Sequence, residues 1–156
     1  MSLAIKEFES CYGLAVRKLI LKILLSEFPE TMVAYPSTDL EDITGNYGGK
    51  RERFFIALDE EKVVGTIAVK EDDKKNALLR RIYVHPNYRN KGYGKMLLKT
   101  AIDFAKSQGY RRIVFRSTDK MSLANLLCKK NGFNEVSQVG FGGIKIVEFA
   151  HIFKNK

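Results

Sequence analysis

The chain has 156 residues, of which 45% are hydrophobic and 29% charged, and it carries a formal net charge of +9. This size and composition exclude a disordered tail, a collagen-like chain and a small disulfide scaffold, and they predict one domain over residues 1–156. The longest apolar stretch is interrupted by Lys22, and the first residues lack the pattern of a secretion signal. We therefore expect a soluble cytoplasmic protein that does not insert into a membrane.

Taken in chain order, the first half predicts strands on either side of one long helix. A strand is expected over residues 5–8, and a helix over residues 10–28 because apolar residues recur there at helical spacing. A turn-rich segment follows, with a short helix expected over residues 40–47. The strands expected over residues 53–58 and 63–70 are joined by a charged turn, which predicts a hairpin.

The second half predicts strands that alternate with two helices. The expected elements are a strand over residues 77–84, a helix over 92–108, a strand over 113–116, a helix over 121–131, and strands over 133–139 and 144–153. This order predicts a mixed α/β fold. The exposed final strand and the glycine-rich turn before it are compatible with a homodimer.

Basic residues are concentrated in one third of the chain. Residues 80–130 contain 13 basic and only 2 acidic side chains, whereas residues 1–79 contain 11 basic and 14 acidic ones. Such a local positive field indicates an anionic partner, either a phosphorylated cofactor, a nucleic acid or an acidic surface. Nucleic acid ranks last because the chain has no helix-turn-helix, zinc-finger or RNA-recognition signature.

The most informative part of the sequence is residues 83–95, which we call the glycine-rich segment. It connects a predicted strand to a predicted helix. Gly92 and Gly94 allow the backbone to approach a ligand closely, and the first turn of a helix presents unbonded N–H groups and the positive end of the helix dipole. Arg89 and Lys91 add positive charge, so the segment predicts a pyrophosphate-binding site.

Residue spacing excludes two common phosphate-binding loops. Leu97 stands where a dinucleotide fingerprint needs its third glycine, and Met96 stands where a nucleotide P-loop needs serine or threonine. The remaining pattern is Arg-x-x-Gly-x-Gly, from Arg89 to Gly94. In this context it resembles the cofactor-binding core of the GNAT superfamily of acyl-CoA-dependent N-acyltransferases.

The resemblance extends beyond the glycine-rich segment. It includes residues 63–66, 109–113 and 130–133, and it covers roughly residues 53–136. The fold that it implies is a central mixed, mostly antiparallel sheet, splayed in the middle and flanked by helices on both faces.

The resemblance also implies acetyl-CoA as the acyl donor and a set of residues that bind it. The backbone of Tyr83 and Val84 would bond the pantetheine arm, with Ile82 beside them, and the N–H of Val84 would stabilise the oxyanion. The pyrophosphate-binding residues that it implies are Arg89, Asn90, Lys91, Gly92, Tyr93, Gly94 and Lys95. No metal is expected, because the two histidines and two cysteines lack the spacing of zinc ligands.

The chain departs from the family pattern at three positions. Leu78 occupies the position of a glutamate that helps to deprotonate the amine in many relatives, and Cys128 that of a tyrosine general acid. Met121 replaces an asparagine, for which Asn125, one turn later, is the candidate cofactor-binding substitute. Cys128 is either a proton donor to the leaving thiolate or a small apolar helix residue.

The acceptor site is the least determined part of the sequence. Tyr35 and Phe54 are the candidates to line it, with ordinary packing as the alternative. The acidic residues Asp39, Glu41 and Asp42 either attract a cationic amine or begin a helix.

These observations favour an N-acetyltransferase that moves an acetyl group from acetyl-CoA to a primary amine of a small molecule or peptide, by direct attack in a ternary complex. One alternative is a protein N-terminal or lysine acetyltransferase. Another is an acyl-CoA-binding sensor with little turnover, which the missing glutamate and tyrosine motivate.

Overall fold

The computed structural model describes residues 3–29 and 36–154, in which seven strands form one sheet. In chain order the strands are β1 (Leu3–Glu7), β2 (Arg53–Asp59), β3 (Lys62–Glu71), β4 (Asn76–Val84), β5 (Arg112–Thr118), β6 (Asn134–Phe141) and β7 (Ile144–Ile152). They lie in the order β1-β2-β3-β4-β5-β7-β6, and every neighbouring pair is antiparallel except β4 and β5. The predicted mixed, mostly antiparallel sheet is confirmed.

Helices cover both faces of the sheet. They are α1 (Gly13–Glu27), α2 (Ile43–Asn46), α3 (Tyr93–Ser107) and α4 (Ser122–Lys130). One apolar core lies between the sheet and α1 and α2, and a second lies between the sheet and α3 and α4. In the described part of the chain, no helix is long and apolar enough to cross a membrane.

The apolar spacing of the sequence accounts for the packing of the two long helices. The buried residues of α1 are Val16, Leu19, Ile20, Ile23 and Leu24, the stripe that its periodicity predicts. On the other face, α3 packs closely on β3 because Gly65 has no side chain. A Cβ at this position would lie 2.8 Å from Cδ1 of Leu97, so the close approach of helix and strand requires a glycine.

The sheet opens between β4 and β5. Residues Asn76–Leu79 of β4 pair with residues Arg112–Phe115 of β5, and the pairing stops there although both strands continue. Beyond that point β4 has a bulge, where Arg81, with φ at +54°, and Ile82 stand opposite a single residue of β3. A hydrogen bond of 2.7 Å from Thr66 Oγ1 to the carbonyl of Arg81 holds the bulge in place. Because a bulge bends its strand, the end of β4 diverges from β5 and leaves a gap.

Candidate functional site

A cavity of about 280 Å³ lies at the C-terminal end of β4, and we call it the larger cavity. It is enclosed by the end of α1, the glycine-rich segment, the first turn of α3 and one side of α4. The predicted cofactor residues that line it are Ile82, Tyr83, Val84, Arg89, Asn90, Gly92, Tyr93, Gly94 and Lys95. Lys91 is not among its lining residues, and its Nζ lies 5.8 Å from the ring centroid of Tyr88.

Within residues 3–29 and 36–154, the first turn of α3 has backbone donors at the larger cavity that form no hydrogen bond. Gly92 precedes the helix with φ at +85°, a conformation that favours glycine, and no side chain of the described residues caps this end. The N–H of Met96 bonds the carbonyl of Gly92 at 3.1 Å, so the N–H groups of Tyr93, Gly94 and Lys95 have no acceptor within the helix. Together with the helix dipole, these donors suit an anion.

The pairing register directs the backbone of Val84 into the gap beside β4. The N–H of His85 bonds the carbonyl of Val64 at 2.8 Å, so Val84 and Gly65 form a non-hydrogen-bonded pair. In such a pair, the N–H and C=O groups point away from the partner strand. The backbone of Tyr83 bonds Thr66 instead, so it is the N–H of Val84, and not that of Tyr83, that faces the gap, while the carbonyl of Val84 already accepts from Arg89.

Arg89 links the glycine-rich segment to the end of α1. Its Nη1 and Nη2 donate to the two carboxylate oxygens of Glu27 at 2.8 and 3.0 Å, and its Nε donates to the carbonyl of Val84 at 3.0 Å. The charge of Arg89 is therefore offset by a carboxylate. Lys95 and Lys130 also line the larger cavity, and no described carboxylate forms an ion pair with either of them.

Cys128 lies in the core between α4 and the sheet, and it lines neither this cavity nor the one described below. Its side chain is fully buried, and burial raises the pKa of the thiol to about 12. Of the two alternatives for Cys128, this position favours the small apolar helix residue over the proton donor. Asn125 also lies outside both cavities, where its Nδ2 donates to the carbonyl of Thr118 at 2.8 Å and joins α4 to β5.

A smaller cavity of about 150 Å³ lies where β4 and β5 diverge. Both cavities include Ile82, Tyr83 and Met121 in their lining, so they meet at the same stretch of β4. Phe54 lines neither cavity, since it packs edge-to-face on two other rings beneath α1 and is only 3% exposed. Its expected place in the acceptor wall is therefore not supported, and Tyr35 lies outside the described residues.

A buried ion pair that the sequence did not reveal anchors the bulge of β4. Arg81 Nε donates to Asp39 Oδ2 at 3.0 Å, its Nη2 donates to the carbonyl of Pro36 at 3.1 Å, and the hydroxyl of Tyr47 donates to Asp39. Burial alone would raise the pKa of Asp39, but the hydrogen bonds from Arg81 and Tyr47 lower it overall. Asp42 caps α2 by accepting from the N–H of Gly45 at 2.9 Å. Asp39 and Asp42 therefore serve the fold.

The fold of the described residues is that of solved acetyltransferases. The chain is 26% identical to a GNAT-family acetyltransferase from Staphylococcus aureus Mu50, with a TM-score of 0.85, covering 98% of this chain and 100% of that one. It also shares the fold of an acetyltransferase from Salmonella typhimurium that was solved with its cofactor acetyl-CoA. That pair is 16% identical, with a TM-score of 0.79, over 100% of this chain and 96% of the other.

The family model of the acetyltransferase (GNAT) family matches residues 17–133, so the chain belongs to this family. Human N-acetyltransferase 8 is 34% identical over 110 residues, which is 67% of this chain and 48% of that protein. N-acetylaspartate synthetase from Xenopus tropicalis is 36% identical over 104 residues, which is 65% of this chain and 38% of that protein. The chain therefore spans about half or less of the length of these relatives.

Proposed function

We propose that the protein is an N-acetyltransferase that moves an acetyl group from acetyl-CoA to a primary amine of a small molecule or peptide. The observation that carries this proposal is the larger cavity, which combines the unbonded amides of α3 with the outward-facing backbone of Val84. A donor substrate in which a charged pyrophosphate is joined to an amide-bearing arm matches this combination.

The described residues of the larger cavity fit the pyrophosphate and the pantetheine arm of acetyl-CoA. The amides of Tyr93, Gly94 and Lys95 would hold the pyrophosphate, and the ammonium groups of Lys95 and Lys130 would add attraction. The pantetheine arm would lie along the end of β4 as an added strand does, bonding the second lone pair of the Val84 carbonyl and leaving the N–H of Val84 for the thioester. Arg89 would act indirectly, since its hydrogen bonds fix the carbonyl of Val84 and the end of α1.

The proposed reaction is direct attack of a neutral amine on the thioester carbon. A nitrogen–carbon bond forms, the oxyanion that develops receives a hydrogen bond from the N–H of Val84, and the carbon–sulfur bond then breaks. The thiolate leaves, and the proton that the attacking nitrogen loses passes through water to the sulfur, a modest requirement because an ordinary cysteine thiol has a pKa of about 8.5. Because Leu78 is apolar and Cys128 is buried, proximity and orientation would supply most of the rate.

The same two residues favour a second candidate function, an acyl-CoA-binding module with little turnover. Leu78 cannot act as a base, and the thiol of Cys128 is buried with a raised pKa. Such a module would bind acetyl-CoA as tightly as an enzyme does but would not release CoA when amines are added.

Thiol release from acetyl-CoA distinguishes the two candidates. We would measure it with a chromogenic disulfide against a panel of small amines, amino acids, peptides with free N-termini and lysine peptides, and confirm each product by its mass. Amine-dependent release of CoA together with an acetylated product is the expected result. Saturable acetyl-CoA binding with no release above the background hydrolysis rate for the whole panel would contradict the enzyme and support the binding module.

Replacing Cys128 with alanine tests the assignment of this residue to the core. We expect kcat to stay within about twofold of wild type at each pH from roughly 6 to 9, because the thiol lines neither cavity. The free energy of unfolding should fall by about 1 kcal/mol, because a buried sulfur is lost. The exposed Cys11→Ala is the matched control. A kcat that falls tenfold with an altered pH profile would restore Cys128 as the proton donor.

A further inference from the structure

The smaller cavity has apolar walls and an unusual concentration of positive charge. Leu78, Phe115 and Met121 supply apolar surface, and the arginines that line it are Arg80, Arg81 and Arg116. No aspartate or glutamate of the described residues lines it. An apolar cavity with a few convergent charged groups is the usual form of a binding site for a small ligand.

Two of the three guanidinium groups are compensated by carboxylates within the protein. Arg81 is paired with Asp39 beneath the bulge. Arg116 is paired with Glu148, whose Oε2 accepts from Nε at 2.9 Å, and it lies 3.7 Å from a carboxylate oxygen of Asp72.

Arg80 differs from its two neighbours. Within residues 3–29 and 36–154, it forms no ion pair with a carboxylate, although its side chain is partly buried in the cavity wall. Alternate residues of a strand face the same side, so the neighbour of Arg80 on its own strand is the apolar Leu78. Asp39 attracts Arg80 electrostatically but, within the described residues, forms no ion pair with it. An anion from a ligand that contacts this half-buried guanidinium directly would therefore stabilise it.

We propose that the smaller cavity is the acceptor subsite and that Arg80 binds a carboxylate carried by the acceptor amine. This inference rests on the proposed function and names its substrate class, a small amino acid or a related amine with a carboxylate. Both cavities include Ile82 and Tyr83, the residues just before Val84. An acceptor held by Arg80 would therefore lie close to Val84. The planar guanidinium matches a carboxylate through two parallel hydrogen bonds. A cavity of about 150 Å³ suits an acceptor of amino-acid size.

Matched acceptor pairs test the inference on the full chain. Thiol release would be measured with the protein amino acids and with the carboxamide of each one, and with phosphoethanolamine as a phosphate-bearing amine. In the wild-type protein, the best acid should have a kcat/KM at least tenfold above that of its carboxamide. A guanidinium also binds phosphate through two hydrogen bonds, so phosphoethanolamine tests whether the subsite selects a carboxylate. It should be a poorer acceptor than the best acid because a phosphate is bulkier in a cavity of about 150 Å³.

Three variants then locate the effect. Arg80→Met should lower kcat/KM for the acid at least tenfold, mainly through KM, and change that for the carboxamide by less than threefold. Arg80→Lys should recover part of the loss because it restores the charge without the planar fork. Lys99→Met, which removes one positive charge at an exposed position of α3, should match wild type for both acceptors. The affinity for acetyl-CoA should be the same in all four proteins.

The inference is overturned if carboxamides or simple amines are as good as the acids in the wild-type protein, if no acid is acetylated, or if Arg80→Met acts equally on both members of a pair. Preference for phosphoethanolamine would likewise overturn the carboxylate assignment. In each of these cases, the proposed function still holds if the protein binds acetyl-CoA and acetylates another amine. If the wild-type protein does not bind acetyl-CoA, the proposed function itself is contradicted.

Discussion

Replacing Gly94 with aspartate is expected to weaken acetyl-CoA binding by two to three orders of magnitude. A Cβ at this position would lie 3.1 Å from Cδ2 of Leu127 and 3.8 Å from Cγ2 of Val84, so the new side chain would enter the larger cavity. Two like charges about 4 Å apart cost roughly 4 kcal/mol at an effective dielectric constant near 20, and each 1.4 kcal/mol is about tenfold in affinity. The new carboxylate would therefore repel the pyrophosphate.

The same substitution should leave the fold intact, which makes the result interpretable. An acidic residue in the first turn complements the helix dipole, and the tip of Leu127 can move by the few tenths of an ångström required. Gly140→Asp is the matched control, since no atom lies within 4 Å of a Cβ built there. Titration calorimetry with acetyl-CoA measures the effect. Equal affinities for wild type and Gly94→Asp would show that the cofactor does not bind at the start of α3.

Replacing Asp39 with asparagine is expected to lower the free energy of unfolding by about 3–5 kcal/mol, because it leaves a buried guanidinium without its counter-charge. The side chain of Arg81 is only 3% exposed and that of Asp39 is 11% exposed. Chemical denaturation measures the loss. The exposed Asp103→Asn, which breaks a surface pair with Lys99, should have little effect and serves as the control. The double variant Asp39→Leu with Arg81→Met should recover part of the stability, because it removes both buried charges.

The same ion pair makes stability depend on pH. Its environment lowers the pKa of Asp39, so the folded state binds a proton at this carboxyl less readily than the unfolded state does. The contribution of Asp39 to the free energy of unfolding is therefore complete above its pKa in the unfolded state, about 4, and is lost as the pH falls through its lower pKa in the folded state. Wild type should lose stability below about pH 4 more steeply than Asp39→Asn. Parallel pH curves, or a loss of less than about 1 kcal/mol at neutral pH, would contradict a stabilising role for this pair.

The secondary structure could be predicted because local spacing determines it. The apolar residues of α1 recur at helical intervals, and they are the residues that the sheet buries. Gly92 could be placed at the start of α3 because glycine is accepted at the position before a helix, and its φ of +85° agrees. The structure differs from these predictions in two helices. The region expected as one helix over residues 10–28 begins with a short 3₁₀ turn, and the helix expected over residues 40–47 is divided into a 3₁₀ turn and α2.

The side-chain partners could not be predicted because they depend on which elements meet in space. Arg89 and Glu27 are 62 positions apart, and Arg81 and Asp39 are 42 apart. Cys128 illustrates the same limit. A helix of nine residues presents some side chains to the cavity and others to the core, and the family pattern alone did not show that Cys128 belongs to the core face.

Ligand-dependent thermal stability tests the central claim, that acetyl-CoA binds in the larger cavity, most directly. The melting temperature would be measured with acetyl-CoA, with CoA and with ATP, each at two salt concentrations. A ligand at about 100 times its Kd adds roughly 2.7 kcal/mol of stability, enough for a shift of several degrees. We expect that shift with acetyl-CoA and CoA and little with ATP, and we expect Gly94→Asp to abolish it. No shift with either CoA species, or equal shifts with ATP, would contradict the account.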